Sequence, residues 1–122
     1  MSNQKKEKHT ISVLVNDEPG ALARVIGLFS GRGYNIDSLT VAPVNLSKKY
    51  SRIIIVTYGT KLIIEQIIHS LERLIQVKKV IDLTFNNSTD ERELALVKIK
   101  IKKNKNYLLK KIIKKYKARL IY

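Results

Sequence analysis

Apolar and polar residues alternate along "HTISVLVN", residues 9–16, so that Ile11, Val13 and Val15 share one face. A period of two predicts a half-buried strand. The polar turn "DEPG" then separates this strand from a run in which Ala21, Leu22, Val25, Ile26 and Phe29 fall on one stripe, the spacing of an amphipathic helix. Asp17 or Glu18 stands near the helix start, and Gly31 or Gly33 is available to end it. Next, "NIDSLTVAPV" places Ile36, Leu39 and Val41 in a β-rich run stopped by Pro43, and "SRIIIVTYG" supplies a more continuously apolar strand closed by Gly59. The intervening "NLSKKY" reads as a hairpin loop. Leu62, Ile63, Ile64, Ile67, Ile68, Leu71 and Leu74 mark a second helix, and "QVKKVIDLTF" a fourth strand with Val77, Val80 and Leu83 as candidate packing residues.

The order β-α-β-β-α-β is that of a ferredoxin-like α+β domain, an antiparallel four-stranded sheet with two helices against one face and the other face open. Residues 9–86 are assigned to it. Residues 87–92 have the polarity and turn residues of a linker. Beyond them "ELALVKIKIK" alternates Val97, Ile99 and Ile101 with lysines and predicts a strand. In "NYLLKKIIKKYKARLIY" a helical face of Leu108, Leu109, Ile112, Ile113 and Tyr116 lies opposite Lys110, Lys111, Lys114 and Lys115. Residues 93–122 therefore read as the truncated start of a second α+β domain, whose apolar helix face has too little sheet to cover it.

Composition narrows the function classes. A chain of 122 residues with 44% hydrophobic content is globular in kind. The absence of cysteine excludes disulfides, thiolate metal sites and a cysteine nucleophile. His9 and His69 are the only histidines, and neither belongs to a nucleophile–base pair or a metal-ligand set, so no intrinsic catalysis is expected. His69, beside Ile68, reads as a residue at the boundary of the second helix's buried face.

The net charge of +14 suggests an anionic partner until its distribution is considered. Residues 1–86 carry +5 and residues 87–122 carry +9; Lys outnumbers Arg 18 to 6, and Ile occurs 17 times, the bias of AT-rich coding. RNA-recognition domains share the β-α-β-β-α-β order, but they display aromatics on the central strands, where "TISVLVN" and "SRIIIVT" offer aliphatics and Tyr58 sits only at a strand end. No nucleic-acid partner is expected. The apolar runs are too short to span a bilayer and "MSNQKKEKHT" lacks the apolar core of a signal peptide. No membrane partner is expected either, and the expected location is cytoplasmic, or the plastid stroma for an organelle-encoded gene.

The first turn carries the candidate chemistry. A strand that turns tightly into a helix gathers free backbone N–H groups in one small space, where the helix dipole favours a carboxylate. Gly20 lets a ligand approach the backbone, and Pro19 stiffens the turn. The Asp17 carboxylate attracts an ammonium group, for which the Asn35 amide oxygen is a second acceptor. Val15, Leu22 and Ile36 are candidates to receive a small aliphatic side chain, which makes an amino-acid zwitterion the best-fitting ligand. The plainer reading remains open: Asp-Glu-Pro-Gly is also ordinary capping chemistry, and "GRGYN" an ordinary helix stop.

These same segments, "HTISVLVNDEPGALARVIGLFSGRGYNIDSLTVAPV", "SRIIIVT", "IEQIIHSLERLIQVKKVIDLT" and "ERELALVKIK", resemble the small, regulatory subunit of acetolactate synthase (acetohydroxyacid synthase) over roughly residues 9–101, its N-terminal ACT domain included. The resemblance implies a subunit with no active site and no cofactor of its own. Its partner is the large catalytic subunit of branched-chain amino-acid biosynthesis, to which thiamine diphosphate, Mg and FAD belong. It further implies a homodimer through the ACT domains and valine as the effector of feedback inhibition. Carried over by position, Asp17 and Gly20 occupy the effector turn, Leu22 supplies a helix-start N–H, and Asn35 with Ile36 matches the segment from the facing subunit. Some members carry Asn at the position of Asp17, and members continue through a complete C-terminal domain. The alternatives are an ACT amino-acid sensor serving another enzyme and a basic ferredoxin-like RNA-binding module.

Overall fold

In the computed structural model, which describes residues 5–44 and 49–121, the alternation of the first strand is realised within β1, Glu7–Asn16. There follow α1, Ala21–Gly31; β2, Ser38–Pro43; β3, Tyr50–Gly59; α2, Lys61–Glu72; β4, Val77–Asp82; and α3, Asn106–Tyr116. The four strands form one antiparallel sheet in the order β2-β3-β1-β4, the expected ferredoxin-like arrangement. Residues 45–48 of the expected hairpin loop lie outside the described residues; beside them the Val44 N–H donates to the Tyr50 carbonyl at 3.1 Å.

Register explains the core. Ile11 lies opposite Ile55 and Val13 opposite Ile53, so the two central strands turn the same apolar set toward one face. A slip of one residue would turn all of it outward. On that set pack Val15, then Ala21, Val25 and Phe29 of α1 and Ile64, Ile67 and Leu71 of α2. The Thr60 hydroxyl caps α2 by accepting from the Ile63 N–H at 3.3 Å.

Two helix stripes are narrower than their spacing predicts. On α1 only the row Ala21, Val25 and Phe29 is buried, while Leu22 and Ile26 are each 37% exposed. Successive helical residues are about 100° apart, so one row faces the sheet and its neighbour lies on the flank. Leu62 is likewise exposed at the start of α2.

The chain divides into two compact units, Met1–Thr89 and Asp90–Tyr122. In the second, the helix expected from the lysine-faced segment is present as α3, with no buried residue. The strand expected through Val97, Ile99 and Ile101 is not formed among the described residues. Alternation supplies a face, but a strand also needs a ladder partner for its backbone groups, and this segment has none to pair with.

Candidate functional site

The β1–α1 turn is fixed by its backbone. The Asn16 N–H donates to the Gln76 carbonyl at 2.8 Å and the Asp17 N–H to the Lys49 carbonyl at 2.9 Å, which ties the turn to the segments entering β4 and β3. Gly20 then takes φ 85°, the left-handed region, as the residue before α1. A Cβ there would meet nothing within 4 Å, so backbone conformation and not crowding calls for glycine.

Ala21 donates to the Glu18 carbonyl at 3.2 Å and Arg24 to the Gly20 carbonyl at 2.9 Å, whereas the N–H groups of Leu22 and Ala23 have no protein acceptor among the described residues. The first turn of α1 carries no acidic side chain, so its positive end is uncompensated from within. Asp17 is exposed beside it. A ligand carboxylate on the N–H groups and an ammonium near Asp17 is what this end can hold. Val15 does not line it, being sealed into the core at 2% exposure; Leu22 is the apolar side chain the turn offers.

Asn35 and Ile36 are held differently. The Asn35 Nδ2 donates to the Asp37 Oδ1 at 2.8 Å, and its carbonyl accepts from the buried Thr57 hydroxyl at 2.6 Å, which leaves the amide oxygen as its unused acceptor. Ile36 packs, half-buried, against the core. The two halves of the candidate site do not meet in one chain. Asn16 pairs with Tyr50 at the start of β3, while Asn35 is tied to Thr57. Seven residues of strand between those anchors span roughly 24 Å.

A second group escaped the sequence reading. His9, 6% exposed, places Nδ1 2.7 Å from Asp82 Oδ2, and the Thr84 hydroxyl donates to Asp82 Oδ1 at 2.5 Å. Thr84 also donates its backbone N–H to that carboxylate, and the Phe85 ring meets the His9 ring edge-on. Burial alone would raise the Asp82 carboxyl, but hydrogen bonds from Thr84 and His9 and the histidine's charge outweigh it and hold the group below its ordinary value. The signal was present, since His9 continues the inward row of Ile11, Val13 and Val15. This cluster ties the end of β4 to β1. Among the described residues no group of three or more His, Cys, Asp or Glu is placed to hold a metal ion, and no helix is long and apolar enough to cross a membrane.

Residues 11–79, which span the strands and helices around the turn, match the family model for the AHAS small subunit-like ACT domain. The chain belongs to that family. Over 114 residues it is 41% identical to a probable acetolactate synthase small subunit of Archaeoglobus fulgidus, covering 93% of this chain and 70% of that protein. Over 92 residues it is 49% identical to the acetolactate synthase isozyme 3 small subunit of Escherichia coli, covering 75% of this chain and 55% of that one. The crystal structure of the acetolactate synthase small subunit from Thermotoga maritima superposes with a TM-score of 0.57 at 37% identity, over 62% of this chain and 47% of that chain. The ACT domain of Chlorobium tepidum GTP pyrophosphokinase, 13% identical, reaches 0.57 over 72% of this chain and 98% of that chain, a likeness of fold alone. The chain spans a little over half the length of several relatives it matches.

Proposed function

We propose that this chain is the regulatory small subunit of an acetolactate synthase, and that two copies paired along β2 hold valine between them. Acetolactate formation, with its thiamine diphosphate, Mg and FAD, then belongs to the large catalytic subunit. The observation that carries the reading is the division of the site between opposite ends of β3. β2 is an edge strand bonded to β3 on one side. Its Pro43 end lies opposite Ser51, at the same end of the sheet as the Asn16–Tyr50 pair and the effector turn. A two-fold axis through the middle of β2 sets the partner's β2 antiparallel to it and brings the partner's Asn35 and Ile36 to that end.

The zwitterion chemistry follows. The Leu22 and Ala23 N–H groups take the carboxylate, Asp17 and the partner's Asn35 amide oxygen take the ammonium, and Leu22 with the partner's Ile36 receives the branched side chain. Feedback then rests on population shift: a ligand gripped by two chains favours one dimer arrangement, and that differential affinity alters the catalytic subunit.

The test is to mix the full chain with its cognate large subunit and follow acetolactate formation while titrating valine. Activation that valine reverses is expected. Gly20→Asp, which fills the ligand space, and Asn35→Ala, which removes an acceptor, should each raise the valine needed by about tenfold or more. Unchanged sensitivity in both variants removes the site; no activation by the unaltered chain removes the assignment.

A further inference from the structure

Between α1 and α2 runs an open groove of about 440 Å³ that contains none of the turn residues Asp17 to Gly20 and meets the candidate effector site only at Ala23. Arg24 and Arg32 line it from the α1 side and Arg73 from the α2 side. These are half of the chain's six arginines, and none forms an ion pair among the described residues. No carboxylate faces them across the groove: α1 has no Asp or Glu, and the α2 acids Glu65 and Glu72 are not among the lining residues. A groove lined by three cations with no carboxylate among its lining residues is electrostatically unfinished. Three guanidinium forks suit planar anions such as carboxylates, because each can bind one through two parallel hydrogen bonds.

The floor carries an independent signal. Gly27 lies in the interior of α1, where glycine is less favourable than alanine. Nothing in the fold calls for it: its φ is not positive, and a Cβ would meet no atom within 4 Å. With Ala23 one turn earlier it keeps the groove low, so that another backbone can come close. From Ala23 to Arg32 the groove wall extends about 13 Å at the helical rise, longer than any single small anion.

We infer that this groove docks an acidic helix of a partner protein whose groove-facing side chains are carboxylates flanking small residues. Resting on the function proposed above, that partner is the acetolactate synthase catalytic subunit. The same rigid helix α1 then touches the effector at its first turn and the enzyme along its body, which gives the ligand's grip a direct mechanical route to the catalytic chain.

The experiment measures binding of the full chain to the purified large subunit across a salt series, and activation alongside it. The triple variant Arg24→Glu, Arg32→Glu, Arg73→Glu should bind at least about tenfold more weakly, whereas Lys61→Glu, Lys78→Glu, Lys79→Glu, with the same charge change elsewhere on the unit, should lose less than about threefold. Gly27→Gln, which raises the floor with no change of charge, should also weaken binding while circular dichroism and melting are retained. If charge reversal unfolds the chain, the three arginines changed to Gln give the same comparison. Equal losses in the groove and control triples, or an unaltered affinity in the groove triple, overturn the groove. Loss of self-association in the groove triple with binding retained overturns it in favour of contact between copies. An unaltered chain that neither binds nor activates the large subunit overturns the proposed function and this partner together.

Discussion

Single residues in this chain carry opposite demands. Gly20 is required by a backbone at φ 85°, so Gly20→Ala should destabilise the chain by about 1 kcal/mol, read from urea unfolding, although a methyl group would meet no neighbour. Gly27 is its counterpart. There Gly27→Ala should stabilise by about 0.5–1 kcal/mol, because the helix gains and nothing clashes; a loss of stability would show that the glycine serves the fold after all. Asp82 links stability to pH. Its carboxyl is depressed in the folded chain, so its contribution is present above its unfolded pKa and is lost as pH falls through the lower folded value. Urea midpoints of the unaltered chain should therefore fall more steeply below about pH 4 than those of Asp82→Asn. Parallel profiles would mean that the His9, Thr84 and Asp82 contacts add nothing to the folded state.

At the scale of elements, what was legible from the sequence is what depends on local period. Ile11, Val13 and Val15 are inward because a strand alternates, and the row on α2 holds because a helix turns every 3.6 residues. Period does not reveal which flank of a helix another element covers, and so Leu22 and Ile26 were counted with a buried stripe that they only border. Nor does it supply a ladder partner, which is why alternation at Val97, Ile99 and Ile101 yields no strand. The turn residues Asp17, Gly20 and Leu22 were visible as turn chemistry; that Asn35 and Ile36 stand at the far end of the sheet was not, because strand order is a long-range property. Val41, opposite the buried Ile53, stands 42% exposed on the helix-side face of the edge strand. Val41→Lys should weaken self-association at least tenfold in sedimentation while leaving the melting temperature within about 3 °C, since a charge on an edge strand opposes edge-to-edge pairing. Retained self-association would place the dimer contact elsewhere.

For the molecule as a whole, the core lies entirely between Ile11 and Val80, within the first of the two compact units. A chain ended after Thr89 should keep a single cooperative melt within about 5 °C of the full chain, because no core side chain is removed; failure to fold would give the second unit a structural duty its exposed α3 does not suggest. Under the proposed shared site, the roughly 24 Å of strand between the anchors of its two halves also makes copy number part of the signal. If two copies share the effector as proposed, a solitary copy lacks half of the site, so the valine needed for half-saturation should rise as the chain is diluted and fall as copies accumulate. What such a sensor reports is the abundance of the metabolite weighed against the abundance of its own listeners.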